Sequence, residues 1–205
     1  MAGYTSAMKS TATAVLIGIN VAVFLLLPPQ SMAFQMLSLQ PLVAQDGVVY
    51  FRLWQLVTYA FLHGGLMHIL FNMWGLWLFG SEIERYLGSR RLLVLYFASV
   101  LSAAAAQMLT PLWVHVEPEP VVGASGGVFG LLLVYAFMFP RRKLIILPIP
   151  VPISAWLFAT LYAGIELFLG ITGAQTNVAH FAHLGGMVGA GALLAYWGRR
   201  HTGQQ

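Results

Sequence analysis

Cysteine is absent from the 205-residue chain, which excludes disulfides, thiol catalysis and zinc–thiolate sites. Charged residues are also scarce: they make up 8% of the sequence, whereas a soluble domain carries about 25%. Hydrophobic residues account for 59% of the chain, an excess that an ordinary core cannot bury but that lipid can. The composition therefore predicts a polytopic membrane protein.

The net charge of +4 does not indicate a nucleic-acid partner. The basic residues stand in short clusters between apolar runs, and they form no stripe interleaved with aromatic residues that would line a groove. These charges report membrane topology instead, so the expected surroundings are the lipid bilayer, with no nucleic acid.

Apolar segments long enough to span a bilayer recur along the chain. A transmembrane helix needs about 20 mostly apolar residues, and the sequence offers such segments at 11–29, 59–80, 92–111, 122–139, 153–172 and 178–197. The intervening residues 30–58 are too apolar for a solvated linker and are predicted to form a structured loop. We therefore expect an all-α polytopic bundle of six transmembrane helices, in a single domain over residues 1–205. The first run lacks a small-residue cleavage site, so we expect a span rather than a cleaved signal peptide.

The basic residues divide unequally between the two sides of this bundle. Nine of the ten lie on the side that holds both termini, and Arg52 in the first loop is the exception. Cytoplasmic loops carry the excess of Lys and Arg in membrane proteins, so we predict cytoplasmic termini in a cell (inner) membrane. This orientation puts Ser125 and His183, at the heads of spans four and six, at one depth near the opposite face.

Ser125 stands among glycines at the head of span four, in Gly-Ala-Ser-Gly-Gly. A serine hydroxyl becomes a nucleophile when a base lies within hydrogen-bond reach, and His183 has the side chain suited to that exchange near neutral pH. A helix that begins near Gly123 has unpaired N–H groups suited to hold an oxyanion. The alternative is that Ser125 only allows close helix packing, and taken alone the serine favours that interpretation.

Glycines recur at a spacing of four in both of these spans, at Gly126 and Gly130 and at Gly185 and Gly189. Small residues at this spacing let helix backbones approach closely in membranes. We therefore expect spans four and six to pack against each other, which would bring the serine and the histidine into contact.

Span two contributes further polar side chains. His68 and Asn72 are four apart and share one helix face, and such a donor pair would complete an oxyanion site. Two alternatives stay open, namely hydrogen bonding between helices and a metal site formed by His63, His68, His180 and His183. The metal site is disfavoured because the glutamate of His-Glu-x-x-His is missing, so we expect no metal and no cofactor.

Glu166 lies inside span five. A carboxylate within a membrane is costly and points to function. We favour a protonated or hydrogen-bonded structural glutamate, because the sequence indicates no cationic neighbour for it. The alternative is the central group of a small transporter, which the absence of internal repeats disfavours.

These residues together resemble the rhomboid family of intramembrane serine proteases, in its bacterial six-span form, over about residues 11–198. Gly123-Ala124-Ser125-Gly126 resembles the family's Gly-x-Ser-Gly, and the Ala-His-Leu-Gly-Gly that contains His183 resembles its Ala-His-x-Gly-Gly. The resemblance implies a serine endopeptidase in which Ser125 is the nucleophile and His183 the base.

The resemblance extends to span two and to the fold. His68 and Asn72 match the family's His-x-x-x-Asn oxyanion pair, and His63 matches an upstream histidine that organises the first loop. The implied fold places six helices around a water-accessible cavity that opens on the extracytoplasmic side. The implied substrates and partners are single-span membrane proteins, cut near the extracytoplasmic end of their transmembrane helix.

The sequence departs from the family pattern at two places. Many members have Trp-Arg in the first loop, where Trp54 is here followed by Gln55, and some have a tyrosine where this chain has Phe129. Phe129 keeps the ring, so we expect it to stack on His183 and hold it in a dyad with Ser125 that has no third, acidic member. The alternative functions are a catalytically silent rhomboid-like protein that binds membrane clients, and the small transporter described above.

Overall fold

The computed structural model describes residues 11–42, 48–112, 119–146, 149–174 and 178–202. Within these ranges the chain forms nine α-helices and one β-hairpin. The helices are α1 Thr11–Leu26, α2 Met32–Leu37, α3 Gln55–Thr58, α4 Leu66–Gly75, α5 Ser81–Leu87, α6 Ser89–Leu109, α7 Ser125–Met138, α8 Ala155–Thr172 and α9 His180–Thr202. Short 3-10 turns follow α3 and α6, at Tyr59–Phe61 and Thr110–Leu112, and a π-helical turn at Leu76–Gly80 joins α4 to α5.

Several of these helices have the length and composition of membrane spans. Among the described residues, α6 with its extension to Leu112 and α8 are long and apolar enough to cross a bilayer. The bent pair Gln55–Phe61 and Leu66–Leu87 makes a third such segment if it is one span, and α1 and α7 are apolar but shorter. The helical fold is therefore as predicted, and the count of six spans stays a prediction.

The helix of the second predicted span starts and ends later than expected. It begins at Leu66, after the extended backbone of Gly65, and bends by 100° from the turn before it. It continues through the π-helical turn to Leu87 and ends at Gly88, where a φ of 81° turns the chain into α6. His63 therefore precedes this helix instead of lying on it.

The described part of the first loop is folded against the segment that leads into α7. Leu39 and Val121 exchange backbone hydrogen bonds of 2.9 Å as an isolated antiparallel bridge. Trp54 Nε1 and Gln55 Nε2 each donate to the Met36 carbonyl at 3.1 Å, which ties α3 to α2. These bonds fix the approach of the chain to the head of α7.

A β-hairpin that was not predicted separates α7 from α8. Strand β1 (Lys143–Ile146) pairs antiparallel with β2 (Ile149–Ser154), with Lys143 opposite Ser154 and Leu144 opposite Ile153. Prolines at 150 and 152 keep β2 out of a helix. Consequently α8 begins at Ala155, two residues after the predicted start of span five.

Helix α6 lies at the centre of the core, with α7 and α9 packed on it. Its buried residues recur every three to four positions and so form one face: Leu92, Leu95, Tyr96, Ser99, Val100, Ala103 and Ala104. A Cβ on Gly185 would overlap Ala106, and a Cβ on Gly189 would lie 2.5 Å from Ser102. The glycine spacing of span six therefore serves its contact with α6, and not the contact with span four for which it was predicted.

Helices α7 and α9 nevertheless touch directly, at a different glycine. A Cβ on Gly186 would overlap the backbone of Gly126, so the two backbones meet with no side chain between them. This approach is one turn or less from Ser125 and His183 along each helix. Close packing thus brings the heads of α7 and α9 together.

Candidate active site

Ser125 opens α7 immediately after a turn that glycine alone adopts readily. Gly123 has a φ of 129°, outside the backbone regions open to other residues, and its N–H donates to the Tyr59 carbonyl at 3.0 Å. Ala124 is the N-cap residue, and the first N–H groups of a helix have no partner within it. The turn therefore places the Ser125 hydroxyl beside backbone donors at the head of a buried helix.

His183 meets this serine from the first turn of α9. Its Nε2 lies 2.8 Å from Ser125 Oγ, although the two residues are 58 positions apart in the chain. The hydroxyl donates to Nε2 when the neutral imidazole carries its proton on Nδ1. A hydroxyl and a base at this distance form the arrangement that nucleophilic catalysis requires.

Phe129 covers one face of the His183 ring. The two ring centroids are 4.2 Å apart and the planes are within 6° of parallel. Tyr162 of α8 stacks on the other side of Phe129, at 4.9 Å and 19°. The side chain that the sequence analysis expected to hold His183 by packing therefore does contact it.

Glu166 of α8 and His180 of α9 complete a cluster with His183. Glu166 Oε2 lies 2.6 Å from His180 Nδ1 and 2.9 Å from His183 Nδ1. The contact with His180 is a hydrogen bond, whereas the contact with His183 is within hydrogen-bond distance but not aligned for one. All three side chains are buried, and Glu166 is 4% exposed. One carboxylate oxygen thus bridges two imidazole rings at the back of the Ser125–His183 pair.

The sequence analysis expected a dyad with no third, acidic member, and it did not foresee a carboxylate 2.9 Å from His183 Nδ1. It favoured a protonated or hydrogen-bonded structural role for Glu166, and the hydrogen bond exists; its partner is His180, which the sequence analysis named only as a candidate metal ligand. The available signal was a carboxylate inside a span that lies 14 residues before His180. Whether α8 turns that carboxylate toward α9 depends on helix rotation, which the sequence pattern does not specify.

The predicted oxyanion residues lie on α4, and one of them reaches the turn before Ser125. His68 Nε2 and Ser125 Oγ both lie within 4 Å of the point that a Cβ on Gly123 would occupy, at 2.7 and 3.6 Å. Asn72 is buried one turn further along α4 and donates its amide to the His68 carbonyl at 2.9 Å. His63 is buried beside His68, with ring centroids 5.0 Å apart in an edge-to-face arrangement. Helix α4 therefore presents His68 directly to the serine turn.

The described cavity and the arrangement of acidic and histidine side chains add no further residue to the site. An open cavity of about 300 Å³ lies beside the first loop, and its lining does not include Ser125 or His183: Pro29, Phe34, Gln35, Ser38, Gln40, Pro120 and Val122. Among the described residues, no group of three or more Asp, Glu or His side chains is arranged to hold a metal ion. The water-accessible cavity around the serine stays a prediction.

Comparison with known proteins identifies the family that shares these features. The model of the Rhomboid domain matches residues 50–201, most of the chain and all of the residues of the site. The chain belongs to the rhomboid family. The family and the apolar helices together make it a multi-pass membrane protein.

Individual members of the rhomboid family match over similar regions. Rhomboid protease GlpG of Serratia proteamaculans is 33% identical over 163 residues, which are 77% of this chain and 52% of the relative. RHOMBOID-like protein 12, mitochondrial, of Arabidopsis thaliana is 31% identical over 80% of this chain and 51% of its own length. Rhomboid protease GluP of Bacillus subtilis is 30% identical over 66% of this chain and 24% of its own length. The chain thus spans about half the length, or less, of these curated relatives.

Proposed function

We propose that this rhomboid is an intramembrane serine endopeptidase. The observation that carries the proposal is the 2.8 Å contact between Ser125 Oγ and His183 Nε2 at the heads of two packed helices. The GlpG and GluP relatives are named rhomboid proteases, which supports the same activity for this chain. Its substrates are membrane proteins, and on the family resemblance they have a single span that is cut near its extracytoplasmic end.

The proposed chemistry is supported by the positions of Ser125, His183 and His68, and by the family resemblance for Asn72. His183 Nε2 takes the proton of Ser125 as Oγ attacks the scissile carbonyl carbon. The oxyanion that forms is held by the Ser125 backbone N–H and by the side chains of His68 and Asn72, with Gly123 keeping the turn open for them. His183 then gives its proton to the leaving amine, and a water molecule hydrolyses the acyl-enzyme by the same steps in reverse. The proposed reaction steps involve no cofactor or metal.

The proposed setting is a cell (inner) membrane with both termini in the cytoplasm. The division of basic residues, nine of ten on one side, supports this orientation. The site then lies near the extracytoplasmic face, where a cavity between six spans of one domain admits water to an otherwise dry bilayer. The partners are the bilayer and the membrane-protein substrate, with no nucleic acid.

Replacement of the nucleophile tests the proposal. We expect Ser125→Ala to abolish cleavage of a membrane-tethered reporter panel by the detergent-purified protein, with products mapped by mass spectrometry, while the thermal unfolding temperature is unchanged. The matched control is Ser154→Ala, since Ser154 makes no side-chain capping bond at the start of α8, and it should cleave like the parent protein.

The same experiment distinguishes the alternatives. Undiminished cleavage by Ser125→Ala would refute the serine mechanism. A parent protein that neither cleaves nor reacts with a fluorophosphonate at Ser125 would instead be a catalytically silent client-binding relative. The transporter alternative centres on Glu166 and the histidines, two of which lie against its carboxylate. That alternative predicts a substrate or proton flux across the membrane that is lost in Glu166→Gln and kept in Ser125→Ala.

A further inference from the structure

Glu166 stands where an orienting carboxylate would act on the proposed catalytic histidine. Its Oε2 is 2.9 Å from His183 Nδ1, while His183 Nε2 is 2.8 Å from Ser125 Oγ. The three groups therefore lie in the order carboxylate, imidazole, hydroxyl. We propose that Glu166 is a positioning residue that holds His183 with its proton on Nδ1 and stabilises the imidazolium formed during cleavage. This inference rests on the function proposed above and extends it from a dyad to a triad.

The tautomer of His183 is the first consequence of this arrangement. A carboxylate only accepts hydrogen bonds when it is ionised, so a carboxylate facing Nδ1 favours the imidazole with its proton on that atom. Nε2 is then left with its lone pair toward the Ser125 hydroxyl, as a general base requires. In the serine-protease template the acidic residue acts in the same way and is not itself protonated. The bond to His183 is not yet aligned, and catalytic hydrogen bonds often tighten only when substrate binds.

His180 accounts for how a carboxylate can be kept at this depth. An isolated ionised carboxylate in a membrane interior is costly unless it is paired and hydrogen-bonded. Glu166 Oε2 accepts a 2.6 Å bond from His180 Nδ1, and both side chains are about 95% buried. This bond anchors the carboxylate on α9 one turn from His183, so that the same oxygen faces both rings. His180 thus orients Glu166 and Glu166 orients His183.

The remaining neighbours of His183 restrict the ring without choosing its tautomer. Phe129 stacks on one face at 4.2 Å, and Tyr162 backs Phe129 from α8. His68 of α4 is near enough to act on His183 electrostatically. Within the part of the chain that the structure describes, the titratable groups that face His183 are therefore Glu166, His180 and His68, with Tyr162 beside Glu166, and Glu166 is the carboxylate of this set. Packing fixes the plane of the ring, and the carboxylate determines which nitrogen faces the serine.

The tautomer of His183 can be measured directly in the parent protein, with a variant needed only to assign the signals. The protein is labelled with ¹⁵N-histidine and studied by NMR in detergent micelles at pH 8. The signals of the His183 ring nitrogens are assigned as those missing from the spectrum of His183→Gln. We expect the proton on Nδ1 and a non-protonated Nε2. A neutral His183 that carries its proton on Nε2 would overturn the proposal.

Kinetics of Glu166→Gln provide the second test. This change keeps the size of the side chain and removes its charge, and we expect kcat to fall by about 10²-fold or more with KM within about 2-fold, by analogy with the orienting acid of serine proteases. The acid side of the pH–rate profile should move to lower pH, because the imidazolium loses a stabilising carboxylate. Glu166→Asp, which keeps the charge, should retain more of the activity and the parent profile.

The controls separate this inference from the proposed function. Glu82→Gln removes a partly exposed carboxylate that pairs with Arg85 and Arg142, and it should leave kcat and the pH profile unchanged. A purely structural Glu166 would lower the unfolding temperature of Glu166→Gln but leave the acid side of its profile in place, which would overturn the proposal. Cleavage that depends on Ser125 but is the same in Glu166→Gln and the parent would also overturn it and leave the serine mechanism intact. Cleavage by Ser125→Ala would instead refute the proposed function itself.

Discussion

Gly123 shows how much of the site depends on a single residue without a side chain. It is one of three glycines with positive φ in the described chain, with Gly88 and Gly173, and no other described residue has a positive φ. A Cβ at this position would also lie 2.7 Å from His68 Nε2. The positive φ and the closeness of His68 therefore both require glycine at position 123. Both also affect how closely His68 of α4 approaches the turn before Ser125.

Gly123→Ala is therefore expected to impair both folding and cleavage. The strained backbone angle costs about 1–3 kcal/mol, and the displaced His68 should reduce kcat by at least about 10-fold if it holds the oxyanion. The measurements are thermal unfolding in detergent and the rate of reporter cleavage. Gly65→Ala is the matched control, because Gly65 has an extended backbone and a Cβ there would meet nothing within 4 Å. Equal behaviour of the two variants would contradict the role given to Gly123.

At the scale of the elements, the active site depends on how closely α7 and α9 approach. Helix α6 presents small residues to both: Ser99 faces Gly130, and Ser102 and Ala106 face the glycines of α9. The two helices then meet backbone to backbone at Gly126 and Gly186. Interfaces of small residues are how membrane helices gain close van der Waals contact. The distance from Ser125 to His183 is therefore set by residues that take no part in the chemistry.

A methyl group at Gly186 should separate the two helices. In Gly186→Ala the new Cβ overlaps the Gly126 backbone, and such overpacking costs about 1–3 kcal/mol. We expect a lower unfolding temperature and a fall in kcat of at least about 10-fold, because the base no longer reaches the hydroxyl. Gly198→Ala on the same helix is the control, since a Cβ there meets nothing within 4 Å. Unchanged cleavage by Gly186→Ala would show that the site tolerates a wider helix spacing.

For the whole molecule, the absence of cysteine and the asymmetry of charge make the orientation directly measurable. Nine of the ten basic residues lie on one predicted side, and the hairpin between α7 and α8 begins with one of their clusters, at Lys143. Arg142 there forms a 2.8 Å ion pair with Glu82 and lies over the Phe139 ring, which joins the hairpin to the end of α7 and to α5.

Single cysteines should therefore be labelled from opposite sides of the membrane. Leu53→Cys lies in the first loop at a position that is 77% exposed, and we expect an impermeant maleimide to label it in intact bacterial cells. Arg141→Cys, also at an exposed position, should react only after the membrane is permeabilised. The parent chain provides the control because it has no cysteine to label. Labelling of Arg141→Cys in intact cells would reverse the predicted orientation.

The positions of most helices could be predicted from the sequence, whereas the contacts between helices could be predicted only in part. Most of the helices begin and end near the expected residues because apolar runs and breakers such as Pro28-Pro29 act through the backbone nearby, and the helix that ends at Gly88 is the exception. The hairpin was missed because a short apolar segment rich in β-branched residues and proline is hard to distinguish from the start of a span. The contact partners of Gly185 were wrongly predicted because a small-residue face does not specify which helix it meets.

The sequence by itself determined the membrane class, the helical fold and the family motifs, and the pairing of Ser125 with His183 was predicted from the resemblance that those motifs carry. Composition and short-range spacing carry that information, because they act through solvent transfer and backbone geometry. Only the tertiary structure decided that Glu166 and His180 stand behind His183, and that α6 packs against the glycines of both α7 and α9. Those relations depend on the rotation and depth at which whole helices pack, which is the sum of many weak contacts along their lengths.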